Sequence, residues 1–302
     1  MHWQKVESSL NAFIRDHCLP DNFYWLAKQW YWPLAKHLLD RQASIDLLGI
    51  NGAQGTGKST LASVLKLFLE VGAGLKVVAL SLDDFYLTRE ERNTLARTVH
   101  PMLQVRGVPG THDIQFASAT INSLLNSKPG TVVGLPTFDK SIDDRVPILA
   151  WPTVTTPVDL VIFEGWCVGN TPENNLALQQ PVNALEAEFD AEQVWRHYVN
   201  EQLASDYQAL FALMDGIVML KAPSMEVILE WRWLQEKKLI DLKGSNGSGV
   251  MNHNQVKQFI QYYERLTRHS LSELPSRADL VYHVSNDHSI EHTTGPWSES
   301  AL

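Results

Sequence analysis

The chain has 302 residues, of which 44% are hydrophobic and 20% charged, and this balance excludes a mainly disordered or low-complexity protein. Thirty-four acidic residues against 25 lysines and arginines give a formal net charge of −9, which argues against a general nucleic-acid binder. Two cysteines and the lack of a long apolar run argue against disulfide-rich secreted and membrane-spanning proteins, so we expect a cytoplasmic protein without membrane partners.

Residues 1–40 are rich in aromatic side chains and form a predicted N-terminal helical extension. Two helices fit this segment, and Pro33 is expected to end or kink the second one, because proline interrupts the hydrogen bonding of a helix. Packing against the body of the protein is the favoured use of these rings, ahead of stacking on a ligand. They are Trp3, Phe13, Phe23, Tyr24, Trp25, Trp30, Tyr31 and Trp32.

From residue 45 onwards, short apolar runs alternate with helical patterns. Most runs lack polar alternation, which is typical of strands buried on both faces of a parallel sheet that helices cover. The predicted strands are 45–50, 75–82, 131–135, 158–163, 216–220 and 280–284, and the predicted helices are 58–70, 113–127, 186–213, 224–239 and 253–270.

We expect a single α/β domain over residues 1–302. Its core spans 45–290 and carries a helical insertion at about 170–213 and a lid region at about 224–252. Two loops are predicted to be mobile because they are poor in apolar residues or rich in Gly, Ser and Asn. They are 86–112 and 241–252.

The turn after the first predicted strand carries a phosphate-binding motif. Residues 52–59 read GAQGTGKS and match G-x-x-x-x-G-K-[ST] between a strand and a helix. Glycines let the backbone N–H groups and the helix N-terminus approach phosphate oxygens, while Lys58 adds a charge and Ser59 a ligand for Mg²⁺. The expected nucleotide-binding residues are Gly52, Ala53, Gln54, Gly55, Thr56, Gly57, Lys58, Ser59 and Thr60.

Two further strands are predicted to bring carboxylates to this edge of the sheet. Glu164 ends an apolar run beside the loop and is expected to hold Mg²⁺, directly or through water. Asp83 and Asp84 end the second strand, and alternation along a strand predicts that only one of them faces the site. That residue could accept the proton of an attacking hydroxyl, while the other caps a helix or turn.

Together these segments resemble a known group of enzymes. GAQGTGKST, SLDDFY, LPTFDKS and VIFEGW, in this order, are similar to the uridine kinase, phosphoribulokinase and pantothenate kinase superfamily, and more closely to the plant-type D-glycerate 3-kinase family. The matching segments are 82–88, 106–113, 136–141 and 163–166, with 230–236 similar to the family's W-R-x-x-Q-E helix. The resemblance covers about residues 45–290 and implies a three-layer P-loop fold with a mostly parallel sheet flanked by helices.

The resemblance also implies a reaction, the ATP- and Mg²⁺-dependent transfer of a γ-phosphoryl group to a small-molecule hydroxyl. D-glycerate is the implied acceptor and 3-phosphoglycerate the product. Asp83 matches the family's base, Asp84 falls in a variable place, and Glu164 matches the metal-site carboxylate. Arg232 matches the lid helix and is expected to close over the phosphates, with Lys237 and Lys238 as weaker candidates.

A three-carbon acid requires cations and polar partners for its carboxylate and hydroxyls. Arg106, His112, Lys140 and Arg145 lie in the segments between the second and fourth strands, and arginine binds carboxylates bidentately. A solvated surface charge is an equal alternative for Arg145, and a helix cap for His112. Tyr86 is expected to pack beneath the acceptor.

The sequence is also compatible with other functions. The same fold could phosphorylate pantothenate or a nucleoside such as uridine, or the chain could be a non-catalytic ATP-binding regulator. No N-K-x-D motif indicates a GTPase, and the histidine spacing indicates no zinc site. Cys167 is expected to be a core residue, and the protein a monomer or a homodimer.

The negative charge is concentrated in one segment. Residues 158–215 contain ten of the 34 acidic residues and one arginine, Arg196, so this segment carries the whole net charge of −9. We expect most of these acids to form a solvated face of the helical insertion.

Overall fold

Strands and helices alternate along residues 1–243 and 250–299, the part of the chain that the computed structural model describes. The strands are β1 (Leu47–Gly52), β2 (Val77–Ser81), β3 (Val132–Gly134), β4 (Phe138–Asp139), β5 (Asp144–Arg145), β6 (Thr153–Thr155), β7 (Leu160–Gly165), β8 (Gly216–Lys221), β9 (Leu280–Val284) and β10 (Ile290–Thr294). The helices are α1 (Trp3–Asp16), α2 (Phe23–Leu26), α3 (Trp32–Asp40), α4 (Lys58–Ala73), α5 (Arg89–Thr98), α6 (Ile114–Asn126), α7 (Ala184–Phe189), α8 (Val194–Gln202), α9 (Gln208–Phe211), α10 (Met225–Lys243) and α11 (His253–Glu273). Within these ranges, no helix is both long and apolar enough to cross a bilayer.

The central sheet has the order β10-β9-β8-β1-β7-β2 and is parallel except for the edge strand β10. Its middle strands are buried along their whole length, which explains their unbroken apolar sequences. The expected mostly parallel sheet is thus confirmed. The strand β10 was not predicted, and β3 lies outside this sheet, because it pairs with β6 in a separate antiparallel ribbon.

Each face of the sheet carries its own hydrophobic core, which gives the molecule three layers. Successive side chains of a strand point to opposite faces, so Leu48 and Ile50 pack with α1, α3, α4 and α10. Leu47 and Phe163 lie in the other core, with α6, α8 and α9. The predicted three-layer α/β architecture is confirmed.

The aromatic N-terminal segment is part of the first of these cores. Trp3 packs edge-to-face against Trp32 and Phe68, with ring centroids 5.4 and 5.8 Å apart. Pro33 does not end the second helix: the chain runs from α2 through a π-helical turn, Ala27–Tyr31, into α3. Pro33 lies in the first turn of α3, directly after the π-helical turn, where the hydrogen-bond spacing of the helix changes.

One predicted loop and one predicted helix have a different structure. Residues 86–112 contain α5, which begins with a capping box at Thr88 and Glu91, followed by a 3₁₀ turn, Pro101–Gln104. The helix predicted over 186–213 is divided into α7, α8, a π-helical turn and α9. The loop predicted over 241–252, which ends the lid region, lies partly outside the described residues.

Part of the acidic segment is buried rather than solvated, contrary to the sequence prediction. Glu186 and Asp190 are shielded from solvent, and each forms an ion pair with an arginine. Arg265 contacts Glu186 at 2.6 Å and Glu173 at 3.2 Å, while Arg196 contacts Asp190 at 2.9 Å. Because Arg265 lies on α11, its two pairs attach the helical insertion to that helix, while the Arg196–Asp190 pair lies within the insertion.

We expect the Arg265 cluster to be essential for stability. Arg265→Met leaves Glu186 buried without its cation, which costs about 3–5 kcal/mol. Arg268→Met is the matched control on the same helix, because Arg268 is 52% exposed and its pair with Glu264 is worth less than about 1 kcal/mol. Urea unfolding of both variants measures the two losses, and equal small losses would contradict a structural role for Arg265.

Candidate active site

The phosphate-binding motif folds into a tight loop between β1 and α4. Gly55 and Gly57 have φ angles of +85° and +91°, which favour glycine, and Gly57 is the residue from which α4 begins. The side chain of Thr56 is folded inward, because its hydroxyl donates to the carbonyl of Ala53 at 2.8 Å. A Cβ atom at Gly52 would lie 2.4 Å from that hydroxyl, so the first glycine of the motif makes room for the loop itself.

Ser59, in the first turn of α4, lies against the carboxylate at the end of β7. Its hydroxyl donates to Glu164 Oε1 at 2.7 Å, while the buried Oε2 atom has no hydrogen-bond partner. An unpaired buried carboxylate oxygen is costly, and a cation or its water ligand would satisfy it. The pair therefore fits Mg²⁺, which uses one or two protein oxygens together with phosphate oxygens and water.

Both acids of the second motif lie in one 3₁₀ turn, Leu82–Phe85, after β2 has ended at Ser81. Strand alternation therefore does not apply, and both Asp83 and Asp84 line the same cavity, contrary to the prediction that only one would. The N-cap of the turn is Ser81, which accepts from the Asp83 N–H, so neither aspartate is needed for capping.

Asp83 is held ionised by its neighbours. Its Oδ1 accepts from the Tyr86 hydroxyl at 2.7 Å and its Oδ2 pairs with Lys140 at 2.6 Å. Burial raises the pKa of Asp83, but the charges of Lys140 and Lys58 and these hydrogen bonds outweigh it and lower the pKa to about 2. Burial raises the pKa of Asp84 to about 6, and the charge of Asp83 acts in the same direction.

A cavity of about 560 Å³ joins the loop, the metal-site pair and the two aspartates. Ten of the predicted site residues line it: Gln54, Gly55, Lys58, Ser59, Asp83, Tyr86, Arg106, Lys140, Glu164 and Arg232. The other predicted nucleotide-binding residues, Gly52, Ala53, Thr56, Gly57 and Thr60, shape the loop and the start of α4 without lining the cavity.

Two of the predicted acceptor-binding residues are not among those lining the cavity. Arg145 pairs with Asp113 at 3.0 Å and donates to the Tyr86 carbonyl at 2.8 Å, so it braces the loop that carries Tyr86. His112 is buried, stacks on the Tyr86 ring and bonds the Tyr207 hydroxyl through Nδ1 at 2.6 Å. Burial lowers the pKa of His112 to about 3, so it is a neutral residue that supports Tyr86.

Arg106 and Lys140 are the predicted acceptor cations that do line the cavity. Arg106 forms an ion pair with Asp143 through Nη1 and lies over the Phe138 ring, which leaves its other guanidinium N–H groups available. Lys140 lies opposite Asp83 on the turn between β4 and β5. The acceptor side of the cavity therefore contains two cations beside the ionised carboxylate.

Arg232 already lines the cavity, although the sequence predicted that it arrives with lid closure. Its Nη1 atom pairs with the buried Glu236 at 2.8 Å, one turn further along α10. Glu236 also accepts from the Met251 N–H at 2.6 Å, which ties α10 to the residues before α11. The lysines at 237 and 238 are not among the lining residues.

Several residues of the site were not predicted as such. Trp231 packs against Gly55 so closely that a Cβ atom added to Gly55 would lie 2.7 Å from the Trp231 Cβ. The Trp231 ring also stacks on the His288 ring, with ring centroids 4.2 Å apart. His288 in turn bonds the Gly55 carbonyl at 2.9 Å. Tyr263 contacts the acceptor loop from α11 by donating to the Arg106 carbonyl at 3.0 Å. Only Trp231 lay inside a motif, and nothing in the local sequence of Tyr263 or His288 signals these contacts.

Comparisons with known proteins agree with this geometry. No protein-family model matches the chain. The chain is 37% identical over 227 residues to the uncharacterized kinase mug58 of Schizosaccharomyces pombe, a match that covers 72% of this chain and 78% of that protein. It is 29% identical over 225 residues to the chloroplastic D-glycerate 3-kinase of Arabidopsis thaliana, covering 72% of this chain and 46% of the plant protein.

A solved structure shares the fold over most of its length. The D-glycerate 3-kinase from Cryptococcus neoformans superposes with a TM-score of 0.72 at 26% identity, covering 88% of this chain and 98% of that one. The shared region therefore extends beyond the phosphate-binding loop.

Gly55 provides a test of the nucleotide site. Gly55→Ala strains a left-handed residue by about 1–2 kcal/mol and pushes a Cβ into Trp231, so we expect ATP affinity to fall by more than about tenfold. Gly74→Ala is the matched control, because Gly74 has a similar φ of +75° and open space around it. It should lose stability but keep its ATP affinity. Equal ATP affinities in equilibrium titrations of both variants would contradict this site.

Proposed function

This chain belongs to the D-glycerate 3-kinase family of P-loop kinases, and from that premise we propose that it transfers the γ-phosphoryl group of MgATP to the 3-hydroxyl of D-glycerate. The observation that carries the proposal is the ionised Asp83, which shares one cavity with Lys58 of the phosphate loop and with Arg106 and Lys140. A phosphate site, a proton acceptor and cations for a carboxylate are the parts that this reaction needs.

Asp83 accepts the proton of the acceptor hydroxyl. As the hydroxyl oxygen bonds to the γ-phosphorus, the bond from that phosphorus to the bridging oxygen of ADP breaks and the proton passes to the Asp83 carboxylate. A carboxylate with so low a pKa is a weak base, so it orients the hydroxyl first and takes the proton late, when the attacking oxygen has become acidic. Lys140 and Tyr86 hold Asp83 in place for this step.

Cationic and backbone groups hold the nucleotide phosphates on the opposite side of the cavity. The loop N–H groups and Lys58 contact the β- and γ-phosphates, and Arg232, fixed by Glu236, balances the charge of the transferred group. Ser59 and Glu164 would hold Mg²⁺, which when bound neutralises charge on the phosphate oxygens.

The acceptor side favours a small anion with hydroxyl groups. Arg106 and Lys140 provide positive charge for a carboxylate, and a guanidinium can bind it with two parallel hydrogen bonds. The aromatic rings of Tyr86, Trp166 and Tyr263 line the same cavity. The carboxylate of a three-carbon hydroxy acid can bind these cations, whereas a neutral nucleoside has no anionic group for them.

Asp83→Asn tests the proposed proton acceptor. We expect kcat to fall at least about 10²-fold, because the amide cannot take the hydroxyl proton, while ATP still binds. Asp139→Asn is the control, since Asp139 precedes Lys140 at the end of β4 but does not line the cavity, and its carboxylate accepts from Ser141. Steady-state rates and ATP titrations give both quantities, and near-normal turnover of Asp83→Asn would remove Asp83 as the proton acceptor.

A screen of acceptors tests the substrate. We expect ADP release with D-glycerate and little with uridine or pantothenate, and ³¹P and ¹³C NMR should locate the phosphate on C3. Turnover confined to nucleosides or pantothenate would contradict the acceptor but not the phosphoryl transfer. ATP hydrolysis that no hydroxyl compound stimulates, or ATP binding without any turnover, would contradict the transfer itself.

A further inference from the structure

We propose that Asp84 binds a second hydroxyl group of the acceptor, on the carbon next to the phosphorylated hydroxyl, and thereby makes the enzyme selective for acids with vicinal hydroxyl groups. The inference rests on the proposed function and adds to it the feature of the substrate that is recognised. It concerns a residue that the resemblance left in a variable position and to which no role was assigned.

The placement of Asp84 is the first argument. Successive residues of a 3₁₀ helix are about a third of a turn apart, so two neighbours can line one concave wall, as Asp83 and Asp84 do. Their Cα atoms are about 3.8 Å apart, as for any trans peptide. Two carboxylates on side chains of equal length, carried by adjacent residues, can each accept a hydrogen bond from one of two hydroxyls on neighbouring carbon atoms.

Asp83 and Asp84 have different charged and hydrogen-bonding neighbours, which suits them to different roles. Lys140 lowers the pKa of both acids, and Lys58 of the phosphate loop lowers the pKa of Asp83. Asp84 accepts from the Phe138 N–H at 3.4 Å, at the start of the turn that carries Lys140, and from the Ser81 N–H. The contact with Phe138 places Asp84 beside the acceptor side of the cavity, where Lys140 and Arg106 lie.

Asp84 also has unused hydrogen-bonding capacity. No cation within residues 1–243 and 250–299 forms an ion pair with it, whereas both oxygens of Asp83 are engaged. Its partners are two backbone N–H groups, those of Phe138 at 3.4 Å and of Ser81, and a carboxylate can accept about four hydrogen bonds. A half-buried carboxylate that faces a substrate cavity repels the acceptor's own carboxylate toward Arg106 and Lys140, and it accepts a hydrogen bond from a hydroxyl.

A pair of substrates isolates this contact. D-glycerate and 3-hydroxypropanoate share the carboxylate and the primary hydroxyl, and only D-glycerate has the neighbouring hydroxyl. We expect wild-type kcat/KM to favour D-glycerate at least about 10²-fold, because a hydrogen bond to a charged group is lost and the carboxylate is left unpaired. In Asp84→Ala the ratio should fall below about tenfold, through a loss with D-glycerate that 3-hydroxypropanoate does not share.

Two further variants keep the result interpretable. Asp84→Asn retains an oxygen that accepts hydrogen bonds and should restore part of the preference, even if Asp84→Ala disturbs the turn at Phe138. Asp139→Asn removes one negative charge from the same region without touching the cavity and should leave the ratio unchanged. The ratio compares two monoanions on one variant, so a general effect of charge or folding cancels.

The outcomes distinguish this inference from the proposed function. Wild-type enzyme that uses both acids equally well, or an Asp84→Ala variant that loses both activities in proportion, overturns the role of Asp84 and leaves D-glycerate as a substrate. A wild-type enzyme that phosphorylates neither acid overturns the proposed function and this inference with it. A preference for D-glycerate that collapses only in the Asp84 variants supports both.

Discussion

The register of three neighbouring parallel strands is the constraint on which the site depends. In this register Glu164 of β7 lies beside Ile50 of β1 on one side and Ser81 of β2 on the other. The phosphate loop follows the end of β1 at Gly52, two residues after Ile50, and the 3₁₀ turn with Asp83 begins directly after Ser81. A shift of one residue would turn the Glu164 side chain to the opposite face and break its contact with Ser59. Hydrogen bonding between strands thus determines the distance between groups far apart in sequence.

The remaining elements complete the cavity from the other side. The helices α10 and α11 contribute Arg232 and Tyr263. Arg232 lies over the Phe259 ring of α11, and Tyr263 donates to the Arg106 carbonyl on the acceptor side. Trp231 of α10 and His288, in the turn before β10, contact the backbone of the phosphate loop at Gly55. Both elements therefore touch the loop directly. Trp231 and Arg232, which belong to the segment expected to behave as a lid, therefore already contact or line the site in this structure.

The distribution of charge explains how an acidic protein can bind anions. Some of the acids in residues 158–215 are neutralised by buried arginines such as Arg265, and these pairs serve the packing of the helical insertion. Inside the cavity, the charged groups have different roles. Lys58 belongs to the phosphate loop, Lys140 lies on the acceptor side in contact with Asp83, and both lysines lower the pKa of Asp83. The net charge of the chain therefore says little about the ligand.

The sequence by itself determined the elements whose signals are local. The unbroken apolar runs identified the strands of the sheet, and the glycines, Lys58 and Ser59 identified the phosphate loop, because backbone conformation and hydrophobic periodicity depend on neighbouring residues. Only the tertiary structure decided which charged side chains meet. Arg145 bonds the Tyr86 carbonyl, His112 the Tyr207 hydroxyl, and Tyr263 the Arg106 carbonyl. Those contacts join residues 59, 95 and 157 positions apart, and a side chain's partner at such a separation is set by how the layers pack, which no local pattern records.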